Sequence, residues 1–316
     1  MYDAVAFGEL LIDFMPVSKD ENGYPVLAAK PGGAPPNFLA ALSKFGAKTA
    51  IICKVGADAF GKILIKTLKD CGVETLGVAQ DDSVFTTLAF VTLDETGDRS
   101  FSFSRKPGAD TCIRFDEVNL SLIDNTKLFH FGTLSLTNEP SRDTTKRVVE
   151  YAKKAGKLIT FDPNLREPLW DSLDEAKTQI LWGLTQADVV KISIEEVEFL
   201  WGLDDKAGAE KLLNEFGVKL AMVTSGANGA RLQNKNGSVF SKCPPVNVVD
   251  TTGGGDIFGG TAMGQILKTG KSPEDLNESE LKKVLGFALT AASLSTEKYG
   301  GLPSIPTEKE VLARMQ

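Results

Sequence analysis

The chain has 316 residues, enough for one large α/β domain with a smaller appendage. A hydrophobic fraction of 42% supplies a buried core, and a charged fraction of 24% is ordinary for a protein that folds in water. The net charge of -7 argues against nucleic acid or an anionic membrane as the main partner, so any polyphosphate must be met by a local gathering of cations and amides.

In chain order, short β-branched and aromatic runs predict strands at 3–7, 49–53, 127–131, 157–161, 188–192 and 219–223. Amphipathic stretches between them predict helices at 36–45, 60–71, 140–155, 174–186, 194–201 and 206–216. Pro140 suits a first helical turn, and Gly156 stops that helix. The last third turns helical, at 256–269 and 280–298. Alternation of this kind implies βαβ units, hence a doubly wound, mainly parallel central sheet flanked by helices.

Residues 10–30 and 84–105 break the alternation. Ser100-Phe101-Ser102-Phe103-Ser104 has period two, and Asp94-Glu95-Thr96-Gly97-Asp98 reads as a hairpin turn. These stretches are expected to form a small β-sheet projecting from a main domain of 1–9, 31–83 and 106–316. Plain edge extensions without a functional role are the alternative.

The chain has four cysteines, Cys53, Cys71, Cys112 and Cys243, in no C-x-x-C pair, and one histidine, His130. Structural zinc is disfavoured, and reduced thiols in a cytoplasmic setting are expected. No apolar run approaches the ~20 residues of a membrane helix. His130 lies in the apolar run Leu128-Phe129-His130-Phe131 and reads as a buried, hydrogen-bonded histidine, which leaves no serine triad. Gly56 to Lys62 has the spacing of a phosphate-binding P-loop. Ile63, however, replaces the hydroxyl that would meet Mg²⁺, and Asp58 would repel phosphate. No G-x-G-x-x-G follows the first strand, so a nicotinamide-dependent dehydrogenase has little support.

The strongest local signal is Asp250-Thr251-Thr252-Gly253-Gly254-Gly255-Asp256-Ile257-Phe258-Gly259-Gly260, ahead of an apolar helix. Three glycines leave N–H groups uncovered where the helix dipole is positive, which favours a phosphate anion. A carboxylate in that place would repel the anion unless it serves as a base. Asp256 there suits a group that takes the proton of an alcohol attacking phosphorus. A capped helix after a glycine turn is the plain alternative. Pro31-Gly32-Gly33-Ala34-Pro35-Pro36-Asn37 lets a ligand approach the backbone, and Asn37 offers the donor and acceptor that sugar hydroxyls need. Asp13, at the end of the Gly8–Phe14 run, either holds adjacent hydroxyls or is a solvated strand end.

Together these segments resemble the ribokinase-like carbohydrate kinases, and among them the fructokinases, from Gly8 to about Pro306. Arg105–Asp110, Phe129–Gly132, Phe161–Arg166 and Lys191–Glu196 also carry the resemblance. It implies the doubly wound fold with a β-sheet lid over the sugar, and transfer of phosphate from ATP with Mg²⁺ to a sugar hydroxyl, fructose at the 6-position. Asp256 would be the base and the amides of Gly253, Gly254 and Gly255 the anion hole. Asp13, Gly32, Gly33, Asn37 and Arg105 would meet the sugar, with Arg166 near the transferred phosphate. Lys191, Ser193, Thr224, Gly226 and Gly229 would line the nucleotide, and Glu196 would organise Mg²⁺ through water. Asp250, Thr252, Gly300 and Ser304 match positions that surround a monovalent cation such as K⁺ in relatives.

Three positions depart from the family's habit: Thr261 for a small residue, Ser193 for an Asn common in ribokinases, and Leu289 for an Asn near the purine. A 2-keto-3-deoxygluconate kinase of the same fold is the nearest rival and would need a further cation beyond Arg105 for the substrate carboxylate. A non-catalytic sugar-binding relative is the other. No membrane or nucleic-acid partner is expected, and the edges of the lid sheet would suit a homodimer.

Overall fold

The computed structural model describes residues 1–93 and 99–315. The turn expected at 94–98 lies outside the described residues. In chain order the strands are β1 (Tyr2–Phe7), β2 (Leu11–Lys19), β3 (Pro25–Gly32), β4 (Thr49–Gly56), β5 (Val73–Asp81), β6 (Leu88–Leu93), β7 (Arg99–Ser104), β8 (Thr126–Gly132), β9 (Leu158–Asp162), β10 (Val189–Ser193), β11 (Leu220–Thr224), β12 (Ala230–Asn234) and β13 (Gly237–Ser241).

Ala4-Val5-Ala6-Phe7 offers water no polar group on either face, as a strand covered on both sides should. β1 accordingly sits inside a nine-stranded sheet ordered β13-β12-β11-β10-β9-β8-β1-β4-β5. Its pairings with β4 and β8 are parallel, as are β8 with β9, β9 with β10, β10 with β11 and β4 with β5. Among the described residues the antiparallel pairings of this sheet are β11 with β12 and β12 with β13, the last two forming a hairpin at one edge.

Alternate residues of each strand feed two separate cores. Ala4, Ala6, Ile51 and Cys53 pack with the helices Ala34–Lys44, Gly254–Thr269 and Glu278–Ser295. Val5, Phe7, Phe129, Phe131 and Phe161 pack with Ser141–Lys154, Leu173–Gln186 and Asp205–Phe216. The four phenylalanines are at most 1% exposed, and each such burial contributes about 1.5–3 kcal/mol. His130 stacks on Phe38 with ring centroids 3.8 Å apart and shares a hydrogen bond with Thr160 Oγ1. Burial holds it neutral, pushing its pKa down to about 3 with Lys191 adding to the effect. Thr261 is fully buried and its hydroxyl has no partner among the described residues, so its extra bulk is a matter of packing.

The Gly56–Lys62 loop is a helix cap and nothing more. Asp58 accepts the N–H groups of Gly61 and Thr86 and the Thr86 hydroxyl at 2.8–3.0 Å, starting the Ala59–Asp70 helix. The second sheet, ordered β3-β2-β6-β7, is built from the two stretches that break the β/α alternation. β2 pairs antiparallel with β3 and parallel with β6, and β6 pairs antiparallel with β7.

Candidate active site

The main sheet reverses direction at β1: the chain moves one way through β4 and β5, then returns to β8 and continues the other way. Ligand crevices in such folds open at the carboxyl ends of the strands beside that reversal. A cavity of about 720 Å³ lies there. Glu9 follows β1, Leu134 follows β8, Asn164 and Arg166 follow β9, and Ser193 and Thr224 end β10 and β11; all line it. Leu11 and Asp13 of β2 and Phe103 of β7 line it from the second sheet.

Asp256 stands in the first turn of the Gly254–Thr269 helix, whose N-cap, Gly253, has φ +76° and offers no side-chain cap. Gly254 N–H reaches Thr251 O at 3.2 Å, which corrects the expectation that its amide faces the anion, and Ile257 N–H reaches Gly253 O at 2.8 Å. The N–H groups of Gly253, Gly255 and Asp256 meet no acceptor among the described residues, so the first turn keeps donors for an anion. The glycines keep this cradle clear. A Cβ at Gly255 would stand 2.9 Å from Lys191 Nζ, and one at Gly253 would stand 3.0 Å from Asn37 Nδ2.

One oxygen of Asp256 accepts Asn37 Nδ2 at 2.9 Å. Burial first, and the charge of Asp162 second, push its carboxyl up to about 7, against Lys191, Asn37 and Arg166. A carboxylate whose pKa is raised to this value is a usable base near neutral pH.

At the second glycine motif, Gly33 has φ +117°, and a Cβ there would meet Glu9 O at 2.7 Å. Gly33, Asn37 and Asp13 line the cavity. Gly32 is absent from the wall, and a Cβ on it would fall 2.0 Å from Asp13 Oδ2, so it makes room for that carboxylate. Asp13 accepts no hydrogen bond from the described residues. Burial pushes it up to about 6, with Arg166 opposing and Asp250 adding. An unbonded carboxylate facing a cavity is a ready acceptor for hydroxyls.

Arg105 corrects the expectation that it reaches the sugar. Its side chain is 2% exposed and is absent from the cavity wall. Nε and Nη2 donate to Asp110 Oδ2 at 2.9 and 2.7 Å, Nη1 to Thr137 Oγ1 at 2.8 Å, and Nη2 also to Leu134 O at 2.8 Å. These bonds hold it at Leu134, away from the wall, leaving Arg166 as the cavity's arginine among the described residues.

Lys191, in the middle of β10, pairs with Asp162 of β9 at 3.0 Å. Despite burial, the charges of Asp162, Glu196 and Asp256 hold its ammonium pKa above the ordinary lysine value. A second cavity of about 230 Å³ adjoins, and Lys191, Arg166, Asn164, Ser193 and Glu195 line both. Glu196 lines the smaller one. It accepts Leu165 N–H at 2.7 Å and Ser193 N–H at 2.8 Å, and burial pushes its pKa up.

No group of three or more His, Cys, Asp or Glu suited to a metal exists among the described residues. The donor set fits a hydrated ion reached through water and nucleotide phosphates, as Mg²⁺ is usually held, and does not fit an all-protein cage. Thr224, Gly226 and Gly229 also line the large cavity, as do the largely apolar Cys243, Val246 and Leu289. Among the proposed cation ligands, Asp250 accepts Thr252 N–H, the Thr252 hydroxyl and Gly300 N–H at 2.7–2.9 Å. Ser304 bonds back to Gly301 O one residue beyond Gly300.

With this geometry in view, comparison with known proteins is decisive. A profile of the pfkB family carbohydrate kinases matches residues 1–308. The chain belongs to that family. Fructokinase-1 of Zea mays is 43% identical over 313 residues, covering 98% of this chain and 96% of that protein. The crystal structure of a fructokinase with bound ATP from Xylella fastidiosa superposes with a TM-score of 0.91 at 27% identity, over 100% of this chain and 98% of that one. A Vibrio cholerae O395 fructokinase, solved with fructose, ADP and potassium ion, gives 0.87 at 29% identity, covering 100% and 99%. The kinase is thus a carbohydrate kinase with the ribokinase-like α/β fold.

Reading the sequence missed three site residues. Asp162 and Asn164 lie in the Phe161–Arg166 segment, where a strand ending in Asp-Pro-Asn is a signal for loop chemistry. Glu9 is hidden in the sequence because one carboxylate after an apolar strand looks like any solvated strand end. Its contact lies 25 residues away at Ala34.

Proposed function

We propose that this kinase transfers the γ-phosphoryl group of ATP to a hydroxyl of fructose, giving fructose 6-phosphate. The observation that carries the reading is Asp256: a carboxylate with one oxygen engaged by Asn37, raised to about 7, set among unbonded N–H groups of a helix start.

Phosphoryl transfer asks the protein for in-line placement, charge neutralisation and a proton acceptor. Asp13 and Asn37 orient the sugar so that one hydroxyl meets the free oxygen of Asp256. As that oxygen takes the proton, the first-turn amides at Gly253, Gly255 and Asp256 receive the charge developing on the phosphoryl oxygens. Arg166 and Lys191, the latter beside Gly255, offer positive charge to the phosphates. The nucleotide lies along Thr224, Gly226 and Gly229. Glu196 is placed to hold water around Mg²⁺, which when bound neutralises the phosphates. The second sheet acts as a lid that excludes water. Asp250, Thr252, Gly300 and Ser304 form the position for a monovalent cation behind the anion hole.

The keto-acid reading fares worse. A substrate carboxylate would face Glu9 and Asp13; Arg105 is committed to Asp110, and among the described residues the cavity wall offers no cation beyond Arg166 and Lys191, which serve the phosphates. β3, at the edge of the lid sheet with Val26 and Leu27 exposed, supplies the strand through which a homodimer would pair. Sugar-dependent ADP formation across a panel of ketoses, aldoses and 2-keto-3-deoxygluconate, with the product identified, tests the reading. Fructose is expected to give the highest kcat/KM, and preference for the acid would overturn it.

A further inference from the structure

The Ala34–Lys44 helix carries Asn37, yet its own sequence cannot cap it. Gly33 at the N-cap has no side chain, and Pro35 and Pro36 bring no N–H groups. The donor that remains, Ala34 N–H, goes to Glu9 Oε1 at 2.7 Å from 25 positions upstream. Backbone and side chain of Glu9 both bear on this point, since a Cβ at Gly33 would meet Glu9 O at 2.7 Å. One turn later Asn37 N–H donates to Gly33 O at 3.3 Å, and its Nδ2 donates to Asp256. An unbroken run of contacts therefore leads from the end of β1 to the base.

Glu9 is 2% exposed and sits beside the Arg105–Asp110 pair. Burial pushes its carboxyl up to about 7, with Asp110 adding and the Ala34 amide, its own amide and Arg105 opposing. Keeping a carboxyl in such a place is costly unless it has a task. A helix start can be capped more cheaply by a Ser or Asp at the N-cap itself. Here that position must be glycine, because of the positive φ and the contact with Glu9 O. The cap has to come from elsewhere.

We propose that Glu9 is a positioning residue of this kinase: it caps the Ala34–Lys44 helix from the end of β1 and so holds Asn37, and through Asn37 the base Asp256, in reacting geometry. The proposal rests on the kinase reading for its consequence and on the Glu9–Ala34 contact for its structure, and the two can be tested apart.

The test is a double-mutant cycle on the sugar the wild-type enzyme uses, with Glu9→Ala, Asn37→Ala and the pair. Misplacement of a catalytic group by about 1 Å can cost ~10²-fold, so Glu9→Ala should lower kcat by about 10–100-fold. In the Asn37→Ala background the same change should cost less than about threefold, because groups acting through one another are not additive. Glu9→Gln keeps an acceptor for Ala34 and should restore most of kcat. Full multiplication of the two single effects would overturn the proposal, and so would a raised sugar KM with kcat untouched, which would make Glu9 a direct sugar contact. If Glu9→Ala does not fold, Glu9→Asp, which draws the acceptor back by one methylene, takes its place in the cycle. Hydrogen exchange at the Ala34 and Asn37 amides gives a readout independent of turnover. At least tenfold faster exchange in the variant is expected, and unchanged exchange would overturn the cap. Absence of turnover in the wild type would instead strike the kinase reading alone.

Discussion

Asn37 Nδ2 donates to Asp256 Oδ2 at 2.9 Å, joining positions 219 residues apart in the chain. The bond ties the helix after the Gly32-Gly33 turn to the helix after the triple glycine, and it leaves the second carboxylate oxygen of Asp256 for substrate. It also favours the charged form of the base, against the burial that raises it.

The base works only when deprotonated, so kcat/KM should fall about tenfold per pH unit below an apparent pKa near 7 and level off above it. Asn37→Ala removes a hydrogen bond that lowers the pKa, and its acid limb should move to higher pH. The pH profiles of the two enzymes check this.

Stability should follow the same group with the opposite sign to a salt-bridged carboxylate. The folded pKa of Asp256, about 7, lies above the ~3.9 of an unfolded Asp, so the wild type loses stability as pH rises through that window. Asp256→Asn should match the wild type near pH 4 and melt at higher temperature above pH 7. Melting curves between those limits read the difference.

Gly254 separates packing from function. A Cβ there would find its nearest neighbour, Thr296 Cγ2, at 3.8 Å, an ordinary contact. Gly254→Ala should therefore fold with an unchanged melting temperature, while its methyl, on the cavity wall, displaces the anion from the open amides of Gly253, Gly255 and Asp256 and lowers kcat by about 10²-fold, the cost of a misplaced reacting group. Steady-state kinetics beside calorimetry distinguish the two effects.

Arg105 and Asp13 should part company. Arg105→Met breaks a buried pair with both side chains 2% exposed and should destabilise the fold by about 3–5 kcal/mol. Asp13→Ala removes a carboxylate that has no hydrogen-bond donor among the described residues and is raised to about 6; it should raise the sugar KM while stability at pH 8 holds or improves. Urea unfolding and sugar titrations measure both.

The main sheet was legible because its strands are largely apolar and several of its helices stop at glycines, Gly202, Gly217 and Gly270 among them. Every strand and helix predicted from the pattern has a counterpart within a few residues. β5 escaped notice: Val73-Glu74-Thr75-Leu76-Gly77 alternates poorly at a sheet edge, and Leu76 is 71% exposed. The β12–β13 hairpin was hidden by its polar residues, which an edge tolerates and a central strand would not. At the site, Asp256 and its glycines were readable because one short segment holds both the cradle and the base. The roles of Arg105 and Glu9 were not readable. Both depend on partners set by tertiary packing, Asp110 and Thr137 for one and Ala34 for the other.

The most direct test of Asp256 as the base is turnover of Asp256→Asn with fructose and saturating MgATP at pH 8, beside calorimetric fructose binding to the same protein. A loss of about 10²–10⁴-fold in kcat with binding retained is the predicted result. Turnover within a few-fold of wild type would contradict it.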